Sequence, residues 1–173
     1  LGMLSHYSGD SAMPYHAVSD FNGWATEQGG IHFYFENDCL HALEPGLGVA
    51  VLKTAISKGP EWLKEWNAAG ATTPNGMIAL TMNVFFDSAS HVKDVARIDR
   101  EKVMIKPSVK ATQKFAERKP PARACEAFRP LLVERIAKAS VLTSFLWRRS
   151  LPKSVEFDEK ATLQFSDIEK GAA

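Results

Sequence analysis

Ser5-His6-Tyr7-Ser8-Gly9-Asp10, then Pro14-Tyr15-His16, then Gly30-Ile31-His32 and Glu36-Asn37 stand at the head of a 173-residue chain. His6 and Asp10 are four apart, as are His32 and Glu36, so on two helices each pair projects from one face. Pro14 stops the first helix and leaves His16 on a rigid turn. Imidazole nitrogens and carboxylate oxygens are donors that zinc takes, in tetrahedral or slightly expanded sites. A lone His-x-x-x-Asp pair is more often a surface hydrogen bond than a metal site. Three of the five histidines falling into such spacings with two carboxylates weigh more. His6, Asp10, His16, His32 and Glu36 are therefore the candidate metal ligands. His41 and His91 lack such partners and read as ordinary polar residues.

Outward from this stretch the patterning stays helical. Residues 1–12 read as the end of a helix, with Leu1, Leu4 and Ser8 on one side and Gly9 permitting close packing. Residues 17–30 are loop-like, punctuated by Asp20, Asn22-Gly23 and Gly29-Gly30. Residues 31–43 return to a helical pattern, closed by Glu44-Pro45-Gly46. A further apolar segment, 47–58, ends at Gly59, and Pro60 opens a helix carrying Trp62, Leu63 and Trp66. Residues 77–87 are almost wholly apolar and read as a buried helix. Ser90 is the expected N-cap of a helix running to about Arg100. The clearest helix covers 130–149, with a stripe of Leu132, Ile136, Ala139, Leu142 and Leu146, and with Arg148 and Arg149 in its dipole-favoured last turn. The fold class expected is all-α. Residues 1–151 form the helical domain, and 152–173 form an extended or weakly ordered tail in which Val155, Phe157, Leu163 and Phe165 alternate.

Composition narrows the function classes. A hydrophobic share of 45% with 24% charged residues is that of a globular chain, long enough for one real core. The net charge of +1 gives no global field favouring nucleic acid or an acidic membrane. Arg97, Arg100, Lys102, Lys106, Lys110, Lys114, Arg118 and Lys119 crowd one stretch against Asp99, Glu101 and Glu117. That run reads as a solvated helix face. No apolar run reaches the roughly 18 residues of a membrane span. Cys39 and Cys125 make no disulfide framework; one bridge stays open in an oxidising compartment, although Cys39 itself reads as a packed cysteine. No Ser-His or Cys-His arrangement suggests a nucleophilic side chain.

The quoted strings resemble the zinc-ligand core of the bacterial zinc-dependent phospholipases C, which read His-Tyr-x-Gly-Asp, Pro-x-His and Gly-x-His-x-x-x-Glu-Asn. The S1/P1 nucleases share the first half. The likeness covers about 36 residues of motif and implies a helical bundle of the phospholipase C and P1 nuclease type. It implies that His16, His32 and Glu36 together hold one zinc, with His6 and Asp10 serving others in a cluster of up to three. The remaining family ligands, among them the Asp assigned as general base, have no counterpart after Leu1. The chain opens at Leu1 inside a helix, so an incomplete N-terminus is expected, with apolar surface exposed near Leu1, Leu4 and Met13. The activity implied is phosphodiester hydrolysis by water activated at zinc. The fourth element, ending in Glu, and the short loop before it tilt the expectation from nuclease towards phospholipid. A single-strand nuclease is the alternative enzyme, and a non-catalytic helical domain with a vestigial metal site the alternative of another class. Phe21, Trp24, Phe33, Tyr34 and Phe35 flank the ligands and can stack on a choline ammonium or a base, with Phe33 and Phe35 expected in the core. Export to the periplasm or the cell exterior also follows from the resemblance alone.

Overall fold

Proline and glycine set the course of the chain in the computed structural model, which describes residues 2–151. Helix α1 (Gly2–Ala12) ends ahead of Pro14, which opens a 3₁₀ turn, Pro14–Ala17. Turns then lead to α2 (Ile31–Phe33), a π-helical turn Tyr34–Asp38 and the long α3 (Cys39–Ala68). Pro45-Gly46 is a bend rather than an end. The helical path changes direction by 104° between Ile31–Glu44 and Gly46–Ala68, with Gly46 at φ +85°. Gly59-Pro60, read as a break, lies inside α3. Burial of Trp62 and Trp66 on the turns that follow outweighs the single N–H that Pro60 lacks.

Helix α4 (Pro74–Ser90) starts at an N-cap, Thr73, whose side chain accepts from the Gly76 N–H at 3.1 Å. It corrects one expectation. Only Leu80, Val84 and Ser88 of its length are buried, while Ile78, Met82 and Phe86 are exposed. A near-uniform apolar run hides which face meets the core; here that face lies on α1 and the Pro14–Ala17 turn. Ser90 is not an N-cap either, because its hydroxyl donates back to the Asp87 carbonyl at 2.6 Å. The next helix, α5, is short (Val92–Ile98).

The basic stretch is not a helix face. After a second π turn, Asp99–Val103, it forms an antiparallel hairpin of β1 (Met104–Lys106) and β2 (Glu117–Arg118). The fold is thus mostly helical with one small two-stranded sheet. Helix α6 (Pro121–Ala124) and a 3₁₀ turn, Cys125–Phe128, lead into α7 (Arg129–Ser150). Cys39 and Cys125, both fully buried, form a disulfide spanning 86 residues, which replaces the reading of Cys39 as a merely packed thiol. The alternation expected at Val155–Phe165 lies outside the described residues.

Helix α7 packs against α3 and α1 and serves two apolar clusters. Its first half contributes Leu132 and Val133 to a core with Tyr15, Ile31, Phe35, Val95, Val103 and Phe128. Its second half contributes Ala137, Leu142, Phe145 and Leu146 to a core with Trp62, Trp66, Leu80 and Val84. The stripe expected for this helix is largely the one observed, with Ile136 and Ala139 only partly buried. Met13, expected at an exposed edge, is buried, and Leu4 is half-buried; Met3 and Tyr7 are the exposed residues of that end. Leu1 lies outside the described residues. No single helix among the described residues is long and apolar enough to cross a membrane.

Two outcomes follow. Leu142→Ala, at a fully buried position, should lower unfolding free energy by about 2–5 kcal/mol in urea titration. Arg135, buried on α7, donates to Asp87 at 2.6 Å, and Lys138 donates to the same oxygen at 2.8 Å. Burial pushes the Asp87 carboxyl up, but these two cations together hold it below the usual carboxylate range. A carboxylate depressed in the fold stabilises above its unfolded pKa and loses that contribution as pH falls through the folded one. Urea midpoints should therefore drop below about pH 4. The drop should be smaller in Asp87→Asn.

Candidate metal centre

The segment that carries His32 is positioned by turns rather than by a helix. Gly23 adopts φ +75° and Gly30 φ +89°, conformations that L side chains rarely adopt. The Gln28 N–H donates to the Gly23 carbonyl at 2.7 Å, and the Gly30 N–H to Asn22 at 3.0 Å. Gly30 then leads directly into α2, so the entry of His32 is fixed within two residues of a closed turn. His16 arrives from the other side, on the 3₁₀ turn that Pro14 begins.

Glu36 sits in the π turn Tyr34–Asp38. Such single wide turns inside helices recur at functional sites, because the extra residue re-aims a side chain. Its Oε2 lies 2.7 Å from His32 Nε2 and 3.4 Å from His16 Nε2. The two imidazoles meet edge to face, with centroids 4.8 Å apart. The three ligand atoms all lie within 4.8 Å of one another, with His16 exposed and the other two half-buried. The hydrogen bond from His32 holds the Glu36 carboxyl below its ordinary range, against the opposing effect of burial and with help from the charge of His16. The carboxylate is thereby kept ionised, the form that can ligate a cation.

Two of the three spacings can be set against those around a zinc ion. Bonds of about 2.0–2.1 Å at tetrahedral angles place ligand atoms roughly 3.3 Å apart. The His16–Glu36 separation already has that value, and His32–Glu36 needs to open by only about half an ångström. Tyr15, missed in the sequence, stacks on His32 at 6.1 Å between centroids with planes inclined by 25°. It is 1% exposed and limits the ring's freedom to rotate. Phe21, itself exposed, meets the His32 ring edge-on. The signal for Tyr15 lay only in its place between Pro14 and His16.

His6 and Asp10 do not join the triad. They pair with one another on α1 at 3.3 Å, with His6 exposed and Asp10 half-buried. They do line one hollow with Glu36, a space of about 770 Å³ between α1 and α7. Leu40, Ile136 and Trp147 form part of its wall. His41 and His91 stay apart, as expected. His41 Nδ1 is 2.9 Å from the Asn37 carbonyl, and His91 stands 3.9 Å from Asp94 with its pKa lowered, first by burial and then by Arg135. Of the flanking aromatics, Phe35 is fully buried against Phe128, but Phe33 is 63% exposed and so is no core residue. Trp24 stacks on Phe115. No protein-family model, curated protein or solved structure matches the chain.

Gly23→Ala tests the turn. A Cβ there would stand 2.7 Å from Ile31 Cγ2 and 2.9 Å from the Gln28 carbonyl oxygen, in a backbone conformation already costly for alanine. It should destabilise by more than about 1 kcal/mol in urea titration.

Proposed function

We propose that this chain carries the zinc-binding part of a phosphodiester hydrolase resembling the phospholipases C. The observation that supports this most is the sharing of one Glu36 oxygen by the imidazoles of His16 and His32, three donors brought together from the Pro14 turn, α2 and the π turn. His32 and Glu36 are four apart, as are His6 and Asp10, but His16 comes from 20 residues away. Convergence across 20 residues of sequence needs the Pro14 turn, the Gly23–Gly30 turns and the π turn together.

When bound, zinc supplies Lewis acidity, activating water and offsetting charge on phosphoryl oxygens. The residues themselves position and neutralise. Glu36 contributes the negative charge, while Tyr15 holds the plane of His32. His6 and Asp10, which line the same hollow as Glu36, offer two donors for a further cation. The apolar wall of Leu40, Ile136 and Ala139 suits the lipid portion of a phospholipid better than a nucleotide strand, which favours phospholipase C over nuclease.

Equilibrium dialysis of the 173-residue chain against zinc at neutral pH should give about one tightly held ion, weakening as the pH is lowered because imidazole ligates only when neutral. His16→Ala, His32→Ala and Glu36→Ala should each weaken that binding more than about a hundredfold. With zinc, the full-length protein should release the phosphorylated headgroup of phosphatidylcholine while single-stranded DNA stays intact. Cleavage of the DNA instead selects the nuclease reading. Zinc held without cleavage of either ester selects the non-catalytic domain, and undiminished zinc in all three variants overturns the site.

A further inference from the structure

The hairpin and its flanks carry five lysines within 18 residues. Lys102, Lys106, Lys110, Lys114 and Lys119 are all exposed, against one exposed carboxylate between them, Glu117. Glu117 is taken by Lys106 at 2.8 Å. Among the described residues, no carboxylate lies within ion-pair distance of Lys102, Lys110, Lys114 or Lys119. Lys119 instead donates to the Lys102 backbone carbonyl at 2.6 Å. The remaining basic residue of the hairpin, Arg118, is buried and committed to Asp99. In a chain with a net charge of only +1, the hairpin and its flanks thus carry a local cluster of four lysines without a carboxylate partner among the described residues.

Apolar side chains are set among these lysines. Ile105 is 52% exposed and Val109 46% exposed, and Val109 pairs across the hairpin with Lys114. Phe115 is also exposed, but one face of its ring lies on Trp24. We propose that this hairpin is a docking surface for an anionic lipid bilayer, with the lysines over the headgroup phosphates and Ile105 and Val109 reaching the interfacial layer. Lysines on flexible stems beside aliphatic side chains are the composition that binds such surfaces. A nucleic-acid strand fits less well. Base recognition or stacking would use arginine forks and free aromatic faces, whereas Arg118 is buried, Phe115 is partly covered, and Ile105 and Val109 have no role there.

This surface stands independently of the metal centre, although it sits next to it. The Ser108 N–H donates to Glu27 at 2.8 Å and the Ala116 N–H to Gly29 at 3.0 Å, so the hairpin is seated on the turn that delivers His32.

Sedimentation of the full chain, in a metal chelator, with vesicles of pure phosphatidylcholine and of phosphatidylcholine with three-tenths phosphatidylserine tests the proposal without any catalysis. Binding should require the anionic lipid and fall as salt is raised. Lys110→Gln with Lys114→Gln should weaken it about thirtyfold, at roughly fivefold per lysine. Ile105→Ser with Val109→Ser should weaken it further without changing the salt dependence. Lys53→Gln with Lys64→Gln on α3 should leave it unchanged. Equal binding to both vesicle types, equal loss in the α3 variant, or binding of single-stranded DNA that the hairpin variant abolishes while vesicles are never bound would each overturn it. Circular dichroism of every variant separates loss of the surface from loss of the fold, and Lys110→Glu alone serves if the double variant unfolds.

Discussion

A buried ion pair holds the irregular half of this molecule in place. Arg118 and Asp99 have side chains 5% and 0% exposed, and they meet in two parallel hydrogen bonds of 2.8 and 3.0 Å. Removing two such charges from water costs several kcal/mol per ion, so the pair persists only with excellent geometry and all its remaining donors satisfied. The turn ahead of His32 takes most of the remaining donors. Arg118 also donates to the Gln28 and Gly29 carbonyls, and the Gln28 amide donates to Asp99 and to the Ala96 carbonyl. A residue of the hairpin, a residue of the π turn after α5 and the loop that has no periodic structure are thereby fixed to one another. The relative placement of His16 and His32 depends on that loop being rigid.

Each of the two π turns carries an acid at a place where a regular helix would aim it differently. Asp99 is fully buried and occupied by Arg118, a structural use. Glu36 is half-buried, close to two imidazoles and open to the hollow beside α7. The same backbone device serves architecture in one case and a candidate ligand set in the other. What separates them is the partner: a permanent cation for Asp99, two neutral-capable rings for Glu36. Asp99 is moreover 0% exposed, whereas Glu36 is open to an incoming cation.

The sequence carried the site more clearly than the surroundings. Spacings of four put His32 beside Glu36, because helix period is a local rule, whereas the grouping of His16 with that pair was implied only by the resemblance. The same spacing joined His6 to Asp10 but said nothing about whether that pair meets the others, a question of tertiary packing. Helix α7 was legible from its stripe, and α1 from Pro14. The break at Gly59-Pro60 was read wrongly because local propensity yielded to the burial of Trp62 and Trp66. The hairpin was read as a helix face because charge alone has no period, and the residue that pins it, Arg118, looked like one more surface cation. Burial of an arginine becomes visible only once its carboxylate partner is found 19 residues away.

The cystine adds a condition on where this protein can exist. It closes a loop of 86 residues and joins the start of α3 to the turn before α7. In the chain-entropy account, such a closure is worth roughly 4–5 kcal/mol, much of the margin by which a domain of this size stays folded. A cell compartment rich in reduced glutathione would withhold that contribution, leaving a chain prone to proteolysis and aggregation. An oxidising one would tie α3 to the turn before α7 inside a single core once Cys125 has emerged from the ribosome and found its partner.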